Sequence, residues 1–252
     1  EAKGSSFEIK SLNTLAKSFG LEKIKSSNQT KKDIDLFVKN TLDTKEFPSG
    51  FSIKSKLGQP STLLNASQAT NFIFKLYDFQ GDVSKINSIK NSKKIKERLE
   101  VSISNCQSFL FDKTNSPILE NNLKKIDTNL PKLISEMLLS YFYKGNKTLS
   151  NITADLSKGD LCKQLNLDYE NLKYIFTKFL IAIALGMFPK SEWDGFYEAE
   201  GCIILKQTGD IVCLHILETK DLGEYLFKNT YLDTPSSTRH KFGEIYKVDG
   251  GV

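Results

Sequence analysis

Apolar residues recur along the chain with two periods, and the changes of period mark its elements. Within residues 7–19, Ile9, Leu12, Leu15, Ala16 and Phe19 fall at helical spacing, and Gly20 stands where a helix would stop. The run Asp33-Ile34-Asp35-Leu36-Phe37-Val38 alternates and then turns apolar, which predicts a strand entering a core. Residues 41–50 contain Pro48 and Gly50 and read as a connection. Gly50-Phe51-Ser52-Ile53-Lys54-Ser55 then predicts a second strand, antiparallel to the first.

Further on, residues 84–99 carry Lys85, Lys90, Lys93, Lys94, Lys96 and Arg98 against the single acid Glu97, with Ile86, Ile89 and Ile95 among them, and read as one basic amphipathic helix. Its basic face is either a solvated surface or a phosphate-contacting one. Residues 130–143 and 169–187 have apolar residues at helical spacing and are expected to be the main core helices, with Tyr141, Phe142, Tyr143, Tyr174, Phe176 and Phe179 packing inward rather than stacking on bases. Two apolar runs within 199–216 flank Gln207-Thr208-Gly209-Asp210, a hairpin signal. A helix over 222–229 and a strand over 244–246 complete an α/β pattern of mixed sheet flanked by helices, with the middle of the chain as a helical elaboration. One domain is expected, with a catalytic hairpin and polar segment (1–83), a mainly helical part (84–190) and a β-rich part (191–252).

Composition narrows the function classes. The chain has 252 residues, 39% of them hydrophobic, enough for a sizeable core. Its 35 Lys plus Arg against 30 Asp plus Glu give a net charge of +5, which on its own reads as an ordinary lysine-rich surface and is compatible with a polyanionic partner. Only Arg98 and Arg239 are arginine, which matters because a guanidinium fork matches the two acceptors of a guanine edge better than an ammonium does. Cys106, Cys162, Cys202 and Cys213 form no CxxC pair, so neither a zinc site nor a redox motif is signalled. The longest apolar stretch, 179–188, is too short for a membrane span and no signal peptide is visible, so a cytoplasmic protein is expected.

Asp33 and Asp35 share one face of the first strand, and a hairpin would bring the Lys54 ammonium beside Asp33. An acid on one strand and a (D/E)xK triplet on its neighbour is the geometry of the PD-(D/E)xK nuclease core, where carboxylates hold a divalent cation next to a lysine. Here the triplet is Ser52-Ile53-Lys54, with serine in place of the second acid. Read alone, the Asp and Lys also suit a surface ion pair.

Residues 54–72 are dense in small polar side chains, and Lys56, Ser61, Thr62, Asn65, Ser67 and Asn71 are candidates for contacts to phosphates and base edges, or for capping a surface loop. A second cluster, Ser237, Thr238, Arg239, His240 and Lys241, places an arginine where it would read guanine or cap helix carbonyls. His215, inside an apolar strand, reads as a satisfied core residue rather than a catalyst.

Three runs together resemble the HpaII family of restriction endonucleases: GFSIKSKLGQPSTLLNASQATNF (50–72), LGMFPKSEWDGFYEAEGCIIL (185–205) and YLFKNTYLDTPSSTRHKFGEIYK (225–247). The resemblance spans nearly the whole chain in the same order. It implies a PD-(D/E)xK-like restriction endonuclease core, magnesium, cleavage of both strands of double-stranded DNA at a CCGG-type site, and a companion cytosine methyltransferase. By position, Asp33 corresponds to the metal-binding acid and Lys54 to the catalytic lysine. A homodimer would suit a palindromic site. The family's N-terminal GEWSE-like motif and closing KLNLQIRF-like strand have no counterpart here, so pieces missing at both ends, and impaired catalysis, are expectations. Two rivals remain: a non-catalytic DNA-binding protein on the same scaffold, and a nuclease that reads DNA structure at junctions or lesions.

Overall fold

The computed structural model describes residues 30–39, 46–56, 61–65, 67–91, 93–234 and 243–246. In chain order its elements are β1 (Ile34–Lys39), β2 (Glu46–Ser55), β3 (Phe72–Tyr77), α1 (Val83–Asn87), α2 (Lys94–Ser104), β4 (Ser108–Thr114) and α3 (Pro117–Ile126). There follow α4 (Leu130–Leu139), α5 (Leu149–Leu156), α6 (Asp160–Gln164), α7 (Tyr169–Leu185), β5 (Gly201–Leu205), β6 (Ile211–His215) and α8 (Thr219–Asn229). The expected helix over 7–19 lies outside the described residues. The chain divides into two compact units, one built from 1–63, 180–187 and 193–224, the other from 64–179, 188–192 and 225–252.

In the first unit a mixed sheet runs in the order β1-β2-β5-β6. β1 and β2 are antiparallel with Ile34 opposite Phe51, so the hairpin expected from the alternation is present. β2 and β5 are parallel, pairing Ser52 with Cys202 and Lys54 with Ile204. β5 and β6 are antiparallel, joined at Lys206–Asp210, where Lys206 N–H bonds the Asp210 carbonyl at 2.8 Å and Gly209 takes a φ of +90°. That turn is the hairpin read from Gln207 to Asp210. Gly201 is required by close packing: a Cβ there would lie 2.4 Å from the Leu214 carbonyl oxygen and 2.8 Å from the Phe51 ring.

β2 corrects the sequence reading at one point. Pro48 and Gly50 lie inside the strand, paired with Phe37 and Asp35, rather than in a connection. Proline is tolerated because the strand half that holds it has its ladder partner on one side, while β5 joins only from Phe51 onward. On the β5 side Gly50 is gripped by one residue, since its N–H donates to Glu200 Oε2 at 3.1 Å and its carbonyl accepts the Glu200 N–H at 2.7 Å.

The approach to β5 is tied down as well. The Leu185 carbonyl accepts the N–H groups of Glu198 and Ala199 at 2.9 and 2.8 Å, and the Trp193 indole donates to the Phe196 carbonyl at 2.6 Å. These bonds fix the loop that delivers Glu198 and Glu200 to the sheet. Leu180, Ile181, Ala182, Ile183, Ala184, Leu185 and Met187 are all buried.

The second unit pairs β3 with β4 antiparallel, with a register shift between Ile73 and Phe74 and a stacked Phe74 and Phe109 pair 4.8 Å apart. Around it, Leu119, Leu123, Leu130, Leu133, Ile152, Leu172 and Phe176 are at most 2% exposed, as their helical spacing requires. Tyr143 and Tyr174 depart from the inward-packing expectation: they are 39% and 59% exposed, and the Lys178 ammonium lies 4.7 Å from the Tyr174 ring.

The basic helix expected over 84–99 is two helices, α1 and α2, and Arg98 explains the break. Its guanidinium, 4% exposed, donates through Nη2 to the carbonyls of Asn87 and Ile89 at 2.8 Å each. Those carbonyls belong to the last residue of α1 and to the non-helical chain just after it. Arg98 therefore has a structural role, and guanine reading is excluded for it. The expected strand at 244–246 is not a strand: among the described residues it pairs with no ladder and is held where Asn87 bonds the Ile245 N–H and carbonyl at 3.0 and 2.7 Å.

Candidate active site

Asp33 enters β1 with its N–H on the Phe51 carbonyl at 2.9 Å, which continues the ladder and sets it opposite Ser52. Its carboxylate oxygen Oδ2 accepts the Ser52 hydroxyl at 3.2 Å and the Ile53 N–H at 2.7 Å. Ser52 is buried, Asp33 exposed and Lys54 half-buried. Because side chains alternate along a strand, Ser52 and Lys54 share the face that Asp33 joins. Lys54 is thus a diagonal neighbour of Asp33, two residues beyond its direct partner. Asp35 is exposed, 3.8 Å from the Lys32 ammonium.

Two charged residues that sequence reasoning missed join this group. Lys31, two residues before Asp33, is half-buried, and its N–H donates to Glu198 Oε2 at 2.9 Å. Burial and the neighbouring Lys54 charge pull the Lys31 ammonium down to about 8, while Glu198, Asp33 and Cys202 act the other way. Cys202, beside Ser52 on β5, is pushed up to about 11 by burial, with Lys54 opposing, so at neutral pH it is a thiol. Asp33, Lys54, Lys31, Glu198 and Cys202 therefore share one electrostatic neighbourhood. The acidic spacing of Glu198-Ala199-Glu200 before an apolar strand was visible, but nothing local shows which strand it will border.

Among the described residues no three or more His, Cys, Asp or Glu side chains converge on a point. The donors beside Asp33 are a small set of oxygens. Such a set fits magnesium, a hard cation that keeps several waters and is usually held by one or two carboxylates with phosphate oxygens completing its shell. Asp33 is the acid that would hold it, and the Ser52 hydroxyl donates to that carboxylate.

The polar run is divided between surface and scaffold. In the first unit the Lys56 N–H extends the parallel ladder to the Leu205 carbonyl at 2.7 Å, the exposed Ser61 donates to the Ser55 carbonyl at 2.7 Å, and Thr62 is exposed. In the second, Asn65 is exposed, whereas Ser67 N–H bonds Thr70 Oγ1 at 2.7 Å and the Asn71 carbonyl accepts the Asn115 N–H at 2.8 Å. Ser237, Thr238, Arg239, His240 and Lys241 lie outside the described residues. His215 is satisfied: Nδ1 accepts the Leu217 N–H at 3.1 Å and its ring lies 5.8 Å from Phe51. Among the described residues no helix is long and apolar enough to cross a membrane.

The HpaII restriction endonuclease family matches residues 1–252. The chain is 38% identical over 247 residues to the type II restriction enzyme HpaII of Haemophilus parainfluenzae, covering 96% of this chain and 68% of that protein. No solved structure matches it. With a match over its full length, the chain belongs to the HpaII family of restriction endonucleases.

Proposed function

We propose that the chain is a type II site-specific deoxyribonuclease that hydrolyses both strands of double-stranded DNA with magnesium, through a PD-(D/E)xK-type core and at a CCGG-type site. The observation that carries the reading is the Asp33 carboxylate held by Ser52 and the Ile53 N–H on the face that bears Lys54. A bound divalent ion supplies Lewis-acid stabilisation of the phosphoryl oxygens and a more acidic water. Asp33 holds that ion, and Ser52 fixes the carboxylate that does so. Lys54 orients the attacking water or takes its proton, and its ammonium form offsets charge on the pentavalent phosphorus. Lys31 adds positive charge to the same neighbourhood.

Lys56, Ser61, Thr62, Asn65, Ser67 and Asn71 are read as the DNA-contacting run, and Ser237, Thr238, Arg239, His240 and Lys241 as the base-reading one. Arg239 is the stronger base-reading candidate because Arg98 is committed to the scaffold. A homodimer, whose symmetry matches a palindrome, a cytoplasmic location and a companion cytosine methyltransferase complete the proposal.

Digestion of one long linear duplex with magnesium, followed by sequencing of the fragment ends, tests it. Discrete bands ending at a common tetranucleotide are expected. A smear, cleavage confined to branched DNA, or binding without metal-dependent cleavage would each replace this reading with one of its rivals.

A further inference from the structure

On the hairpin the proposed metal site has Asp33, with Ser52 where the neighbouring strand would bring another acid, while the exposed Asp35 lies 3.8 Å from the Lys32 ammonium. We propose that Glu198 supplies the second carboxylate to the divalent cation, an inference that rests on the metal-dependent reading above. Glu198 reaches this end of the sheet through the parallel pairing of β5 with β2, and its backbone is anchored on the Leu185 carbonyl. Its Oε2 accepts the N–H of Lys31, two residues from Asp33, so the carboxylate lies against the segment that carries the assigned acid. The Glu198 carboxylate and Asp33 are thus joined through one backbone N–H on the same short segment, an arrangement a divalent ion can exploit by taking both acids. Glu200, the nearest other acid on the same loop, is committed to the Gly50 N–H at 3.1 Å.

Mn2+ uptake by the full chain without DNA, followed by the electron paramagnetic resonance of the free ion, tests the assignment with no reference to cleavage. Glu198→Gln keeps an oxygen for the Lys31 N–H and removes the charge. It is expected to weaken Mn2+ uptake about tenfold or more, the scale seen when a group supporting a metal site is lost. Asp33→Asn is expected to weaken it at least as much, and Glu198→Asp to retain most of it. Wild-type uptake in Glu198→Gln with loss in Asp33→Asn overturns the role of Glu198 and leaves the Asp33 site standing. Wild-type uptake in both variants, or none in the parent chain, overturns the metal site itself. Should Glu198→Gln fail to fold, Lys31→Met decides. Removing the competing ammonium strengthens Mn2+ uptake severalfold if both carboxylates serve the ion, and unchanged or weaker uptake overturns the proposal.

Discussion

Ser52 donates its hydroxyl hydrogen to the carboxylate of Asp33 at 3.2 Å, from a position only 1% exposed. The serine that replaces an expected acid is therefore the support of the acid that remains. Ser52→Ala leaves the Ile53 N–H as the described donor to Asp33 and costs about 1 kcal/mol of stability, the net worth of one hydrogen bond. Cleavage is expected to slow by about tenfold, a loss of similar free energy, while DNA affinity is retained. Single-turnover cleavage beside a binding isotherm separates the two quantities.

Lys54→Ala is expected to reduce cleavage by at least about a hundredfold, the usual consequence of removing a group aimed at transition-state charge. Sequence-specific binding should stay within a few fold of the parent chain. Cleavage near the parent rate would count against the assigned role of Lys54.

Arg98 allows a stability test away from the site. Arg98→Met strands the carbonyls of Asn87 and Ile89 and is expected to cost about 3 kcal/mol in urea unfolding, as loss of a buried charged partner does. Glu244→Gln should cost under about 1 kcal/mol, because its contact with Arg98 is 3.4 Å long and partly solvated. Equal effects would show that the ion pair, rather than the carbonyl bonds, holds α1 and α2 together.

Burial raises the Glu136 carboxyl above its ordinary value of 4.5, against the weaker pull of Lys144. The folded chain thus keeps a proton that the unfolded chain gives up, so this contribution to stability is complete below pH 4.5 and is lost as pH rises through the raised value. Glu136→Gln is expected to melt higher than the parent at pH 7 and to converge with it near pH 4. Melting curves at the two pH values check the sign.

The hairpin that carries Asp33, Ser52 and Lys54 was legible because alternation over residues 33–36, before the run turns apolar, sets both strand and face. The boundary of β2 was not, since Pro48 signals a break unless one knows that, among the described residues, its outer edge has no ladder partner. The split between α1 and α2 was hidden for a related reason: the spacing of Ile86 and Ile95 suits one helix, and only the tertiary bonds of Arg98 show that the turn between them is required. Lys31 and Glu198 went unread because they meet through a pairing of residues 167 apart, which no local period encodes.

That separation has a consequence for a growing chain. Gly50 and Glu200 are 150 residues apart, so at ordinary synthesis rates the strand bearing the lysine waits roughly 8–30 s before its parallel neighbour exists. A ribosome-bound molecule carries both halves of the hairpin and none of the loop that braces them. The proposed centre is thus incomplete on the ribosome until translation has passed residue 200.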